Sequence, residues 1–109
     1  LLPSLATLLV EQNRTPEAIQ LYREGIQRYP DQTYFYSNLA DILIADNRMN
    51  EAIALYQEAI QRNPKNATLY ILLGNRYEDQ KQDDKAIATY QKGIQQAEFS
   101  DSLYANWAE

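Results

Sequence analysis

At 109 residues the chain has the length of one domain, and its net charge of −5, from ten basic and fifteen acidic side chains, opposes phosphate neutralisation. The six Arg and four Lys are scattered among carboxylates, so neither nucleic acid nor an anionic membrane is an expected partner. The absence of Cys and His removes disulfides, thiol nucleophiles, Cys-ligated zinc and the usual general base.

No stretch approaches the roughly 18 apolar residues of a membrane span, so membrane insertion is not expected. The apolar run Leu1 to Val10 lacks a basic flank and a small-residue cleavage site, and is not read as a signal peptide. A cytoplasmic location is expected, with any targeting signal lying outside this segment.

Helix-period spacing begins at Leu2, Leu5, Ala6 and Leu9, with Pro3 tolerable in a first turn. Asn13-Arg14-Thr15-Pro16 closes that helix and opens the next, with Thr15 the expected N-cap and Glu17 favourable to the helix dipole. The second helix should run to about Tyr29, before Pro30. A third opens near Asp31-Gln32 and carries Tyr36, Leu39, Ala40 and Leu43. Asp46-Asn47-Arg48 turns the chain into a fourth, with Ala52, Ile53, Tyr56, Ala59 and Ile60, which ends at Asn63-Pro64. Asn66 is the expected N-cap of a fifth helix with Tyr70, Leu73, Gly74 and Tyr77. Asp83 or Asp84 opens a sixth, with Ala86, Ile87, Tyr90, Gly93 and Ile94. Ser100 or Asp101 starts a seventh, with Tyr104, Trp107 and Ala108.

These elements repeat. The stretch N-E-A-I-A-L-Y-Q-E-A-I-Q-R-N-P at Asn50–Pro64 has counterparts at Pro16–Pro30 and Asp84–Glu98. Ala18, Ala52 and Ala86 recur at a 34-residue step, as do Tyr22, Tyr56 and Tyr90, and Ile26, Ile60 and Ile94. That period marks a stack of helical hairpins, each burying the apolar face of its neighbour. Small residues recur beside large ones, at Gly25, Ala59 and Gly93 and at Ala6, Ala40, Gly74 and Ala108. Such alternation lets helix axes approach to about 8–10 Å.

The joint pattern resembles tetratricopeptide repeats. The matching residues are Leu2, Leu5, Ala6, Ala18, Tyr22, Gly25 and Pro30 in the first unit and Tyr36, Leu39, Ala40, Ala52, Tyr56, Ala59 and Pro64 in the second. In the third they are Tyr70, Leu73, Gly74, Tyr77, Ala86, Tyr90 and Gly93. Leu9 and Leu43 stand where Tyr is commoner, and Glu98 where a third closing proline is expected. Pentatricopeptide arrays, with a longer unit and a basic groove, fit this acidic chain less well.

The resemblance implies an all-α solenoid, a right-handed superhelix of antiparallel helix pairs. It implies one domain over 1–109, with repeats at 1–32, 33–66 and 67–100 and a further helix beginning at 101–109. It implies a scaffold without catalytic activity or cofactor, which holds a peptide or helix of a partner protein. The first helices would line a groove through Thr7, Tyr34, Ser37, Asn38, Asp41, Ala45, Thr68, Leu72, Asn75, Asp79 and Asn106. The chaperone-tail readers of the family grip a carboxylate with Lys, Arg and Asn. Here only Asn38 matches, while Pro3, Thr7, Thr68 and Leu72 fill the other places, so that ligand is disfavoured.

Other constellations have plainer explanations. Glu78-Asp79 and Asp83-Asp84 flank an expected turn, where capping explains them better than acid/base chemistry. Five tyrosines, Tyr22, Tyr56, Tyr70, Tyr77 and Tyr90, fall on the apolar stripe with hydroxyls at its rim, whereas Tyr29 and Tyr34 fall outside it. Glu24 with Arg28 and Glu58 with Arg62 form i, i+4 pairs. Leu1, Leu2, Leu5 and Leu9 at one end, and Leu103, Tyr104 and Trp107 at the other, have no capping helix. They predict a segment of a longer array, or self-association through its ends. A structural spacer that assembles by those ends is the alternative to the groove binder.

Overall fold

The computed structural model describes residues 5–96, with side chains from residue 8 onward. Among them the regular structure is six α-helices: α1 (Leu5–Glu11), α2 (Thr15–Arg28), α3 (Thr33–Ala45), α4 (Met49–Arg62), α5 (Ala67–Asp79) and α6 (Asp83–Gln96). The expected seventh helix, with Leu103, Tyr104, Asn106 and Trp107, lies outside the described residues, as does Leu2.

Each hairpin turns by the same device. Asn13, Asn47 and Lys81, one repeat apart, have φ of 61°, 65° and 59°. Around each, two backbone bonds close the preceding helix in the pattern of a Schellman cap. Arg14 N–H donates to Leu9 C=O (2.6 Å) and Asn13 N–H to Val10 C=O (3.0 Å). The same pair recurs as Arg48 to Leu43 (2.7 Å) with Asn47 to Ile44 (3.0 Å), and as Gln82 to Tyr77 (2.9 Å) with Lys81 to Glu78 (2.8 Å). The residue after the left-handed one therefore finishes one helix and starts the next. This corrects the expectation for Thr15: it is the first residue of α2, and Arg14 occupies the cap position with no side-chain cap bond. The expected cap at Asn66 does form, its Oδ1 accepting from Thr68 N–H at 3.0 Å.

Asn tolerates the left-handed region better than most residues, and Lys does not share that advantage. Lys81→Asn is expected to raise stability by about 0.5–1 kcal/mol, read as a higher urea midpoint; a lower midpoint would mean that the turn is not strained.

The arginines at the first two turns are held by the helix they precede. Arg14 Nε and Nη2 donate to Glu17 at 2.9 and 2.6 Å, and Arg48 makes the same fork on Glu51 at 2.6 and 2.7 Å. The guanidinium hydrogen bonds hold both carboxyls below the ordinary glutamate range. In the third turn the counterparts are Gln82 and Lys85, and Lys85 Nζ instead sits 5.8 Å from the Tyr77 ring centroid. Of the two anticipated i, i+4 pairs, Arg62 and Glu58 meet at 3.3 Å, while Glu24 accepts from Gln20 at 3.4 Å.

Between hairpins a second device repeats. Tyr36 Oη donates to Pro30 C=O at 2.8 Å, and Tyr70 Oη to Pro64 C=O at 2.6 Å. A buried ring thereby satisfies the carbonyl of the linker proline from within the following helix.

The chain divides into two compact units at Leu55/Tyr56, inside α4. In the first, α2 packs on both α1 and α3. Ala18, Tyr22, Ile26, Tyr36, Leu39, Ala40 and Leu43 are buried there, as the spacing requires. In the second, α5 packs on α6 along closely approaching backbones. A Cβ built on Gly93 would stand 2.6 Å from the Tyr70 Cβ, and one on Gly74 would run into the Tyr90 ring. Some expected stripe positions differ: Ile60, Tyr77, Tyr90 and Ile94 are only half-buried, and Ile87 is exposed. All but Ile60 belong to α5 and α6, the last described hairpin, where no later described helix packs against them.

Candidate functional site

The groove residues proposed from the sequence fall on two helical faces, one in each unit. On α3, Tyr34, Ser37, Asn38 and Asp41 follow i, i+3, i+4, i+7 spacing opposite the buried Tyr36, Leu39, Ala40 and Leu43. Tyr34 and Asp41 are exposed, as is Ala45 beyond them, and Ser37 and Asn38 are half-buried. On α5, Thr68, Leu72, Asn75 and Asp79 form the corresponding stripe, with Thr68 and Asp79 exposed and Leu72 and Asn75 half-buried. Thr7 and Leu5 lie in α1, and their side chains are outside the description.

The α3 face is held by its own helix. Asn38 Nδ2 donates to Tyr34 C=O at 2.8 Å and Ser37 Oγ donates to the same carbonyl at 3.2 Å. The Tyr34 ring, 55 % exposed, stands edge-on to Phe35 (centroids 5.4 Å apart) and to Tyr22 (6.2 Å). Phe35 also stacks on the exposed Tyr29 at 6.0 Å and covers Gly25. Tyr29 and Tyr34 are thus outside the core, as their spacing implied, but they belong to one aromatic cluster. Phe35, its centre, is missed by the sequence reading because its partners come from a different helix.

The α5 face is held by α6. Tyr90 Oη lies 2.6 Å from Asn75 Oδ1 and 2.5 Å from Glu78 Oε1. Asp79 Oδ2 lies 3.1 Å from Arg76 Nε, a charge contact without the alignment of a hydrogen bond. From α4, Gln57 Nε2 donates to Tyr77 Oη at 3.0 Å. The 34-residue step placed Tyr90 in the core and gave no hint of its polar partners, and Glu78 was expected only as a carboxylate flanking a turn.

Burial, and then the hydrogen bond to Glu78, push the Tyr90 phenol up to about 12. The folded state holds this proton more tightly than an unfolded chain, whose phenol titrates near pH 10. Its contribution to stability is therefore complete below about pH 10 and is lost as pH rises through the folded value. An absorbance titration at alkaline pH should show a late tyrosinate step that Tyr90→Phe diminishes; an unchanged step would contradict the assignment.

Among the described residues no group of His, Cys, Asp and Glu is placed to hold a metal ion. No helix is long and apolar enough to cross a membrane among them. Hairpins that repeat their turn, their linker tie and their core at one period define an all-α helical repeat protein. Tetratricopeptide repeat family models match the chain at residues 4–67 and again at residues 43–106. The chain belongs to the tetratricopeptide repeat family. Repeats of this family are in general protein-interaction modules rather than catalysts. A comparison with curated proteins finds no match.

Proposed function

We propose that the chain binds a peptide or helix of a partner protein through the exposed faces of α3 and α5, acting as one interaction module over 1–109 without catalysis. The observation that carries this is the spacing of Tyr34, Asn38 and Asp41 on α3, and of Asn75 and Asp79 on α5. Polar and aromatic side chains there occupy the side of each helix turned from its core. Preformed hydrogen bonds at Asn38 and Asn75 reduce the side-chain ordering that binding would otherwise require. Asp41 and Asp79 favour a neutral or basic ligand over an acidic one.

The test is a pull-down with the intact protein, followed by titration of the captured peptide. Asn38→Ala combined with Asn75→Ala is expected to weaken binding about 5- to 150-fold, two polar contacts at about 0.5–1.5 kcal/mol each. An unchanged affinity, with the fold intact by circular dichroism, would move the site elsewhere. Trp107→Ala is the control and should leave peptide binding unchanged.

A further inference from the structure

We propose that Tyr90 is a positioning residue that turns the Asn75 amide so that its oxygen faces the ligand, making the α5 face a receptor for N–H donors. The inference rests on the groove reading above and names the chemistry of its ligand. A phenol has one proton, yet Tyr90 Oη is within hydrogen-bond distance of two side chains. The Glu78 carboxylate can only accept, so the Tyr90 proton goes there, in a short charge-assisted bond of 2.5 Å. Asn75 Oδ1 faces the phenol oxygen at 2.6 Å; with the proton on Glu78 no hydrogen would lie between those two oxygens, and the amide turns to offer its NH2 instead. Amide oxygen and nitrogen have the same shape, so the terminal torsion turns to satisfy the network. The carbonyl oxygen becomes the remaining polar atom of Asn75.

Asn38 arrives at the same state independently. Its Nδ2 is spent on the Tyr34 carbonyl at 2.8 Å, which leaves Oδ1 to meet a partner. Each face therefore presents an amide oxygen as acceptor, in a chain of net charge −5. The matching ligand is a basic peptide segment with exposed backbone N–H groups or Lys and Arg side chains, and a terminal carboxylate is the wrong chemistry.

Two measurements separate the parts. In the free labelled chain, NMR should show contacts between the Asn75 side-chain NH2 protons and the Tyr90 ring. Tyr90→Phe should shift those NH2 resonances, and Glu78→Gln, whose amide can donate to Tyr90, should let Asn75 turn and weaken the contacts. Absent contacts in the wild type, with resonances indifferent to Tyr90→Phe, would overturn the orientation. In the second measurement, peptides are selected from a displayed random library on the intact chain, and the backbone amides of the best binder are replaced one at a time by esters. One replacement should reduce affinity about three- to tenfold on the wild type and have no effect on Asn75→Leu. Uniform indifference to esters would overturn the donor-reading role even if the NMR orientation holds. A library yielding only peptides insensitive to Asn38→Ala and Asn75→Ala would overturn the groove reading, leaving the amide orientation to stand or fall by NMR.

Discussion

Replacing Tyr70 by Ala is expected to cost about 3–5 kcal/mol, the range for deleting a large buried ring. The side chain is 2 % exposed, its Cβ lies against the α6 backbone at Gly93, and its hydroxyl ties the Pro64 carbonyl at 2.6 Å. Tyr70→Phe keeps the ring and removes only the tie, leaving that carbonyl short of a partner, so about 1–2 kcal/mol is expected. Tyr34→Ala, at the residue two places before the repeat equivalent Tyr36, should cost no more than about 1 kcal/mol, from lost aromatic contact. It should act on ligand binding instead. Thermal and urea denaturation of the three variants would test this ordering. A Tyr34→Ala chain as unstable as Tyr70→Ala would put Tyr34 in the core and out of the site.

Gly93→Ala is expected to destabilise by about 1–2 kcal/mol, although Ala is the better helix former by about 1 kcal/mol. The added methyl would stand 2.6 Å from the Tyr70 Cβ, an atom fixed to the α5 backbone, so the two helices must separate. The other glycines meet rings rather than a Cβ. At Gly25 the obstacle is Phe35, a half-buried ring that can move aside, and Gly25→Ala should be close to neutral. At Gly74 it is Tyr90, which can swing out only by giving up Asn75 and Glu78. Gly74→Ala should therefore disturb the proposed binding face more than the fold. A Gly93→Ala chain as stable as the wild type would refute the close approach of α5 and α6.

The helix positions were legible because each device is local and recurs. Proline at Pro30 and Pro64, and asparagine at Asn13 and Asn47, punctuate the chain at one step. A misreading in one repeat is corrected by the others. The Thr15 cap was misjudged because the turn is tighter than its composition implies: Arg14 ends one helix and begins the next, leaving no free residue for a separate cap. The buried stripe on α3 followed directly from its spacing. The partial exposure of Tyr77, Tyr90 and Ile87 did not, because burial depends on which helix packs alongside, and periodicity carries only the phase of the face.

The same distinction divides the candidate site. Helical spacing alone put Tyr34, Ser37, Asn38 and Asp41 on one side of α3, and Thr68, Leu72, Asn75 and Asp79 on one side of α5, since 3.6 residues per turn fixes who shares a face. Which atoms of those side chains are already engaged was decided by tertiary structure. Tyr90 comes to Asn75 and Glu78 across the α5–α6 contact, and Phe35 to Tyr22 and Tyr29 across the α2–α3 contact. By itself the sequence determined the period, the helices and their polar faces, all set by neighbours within one turn of chain. These hydrogen bonds and ring contacts join residues six to fifteen positions apart in sequence, and only packing of one helix on another brings those within reach.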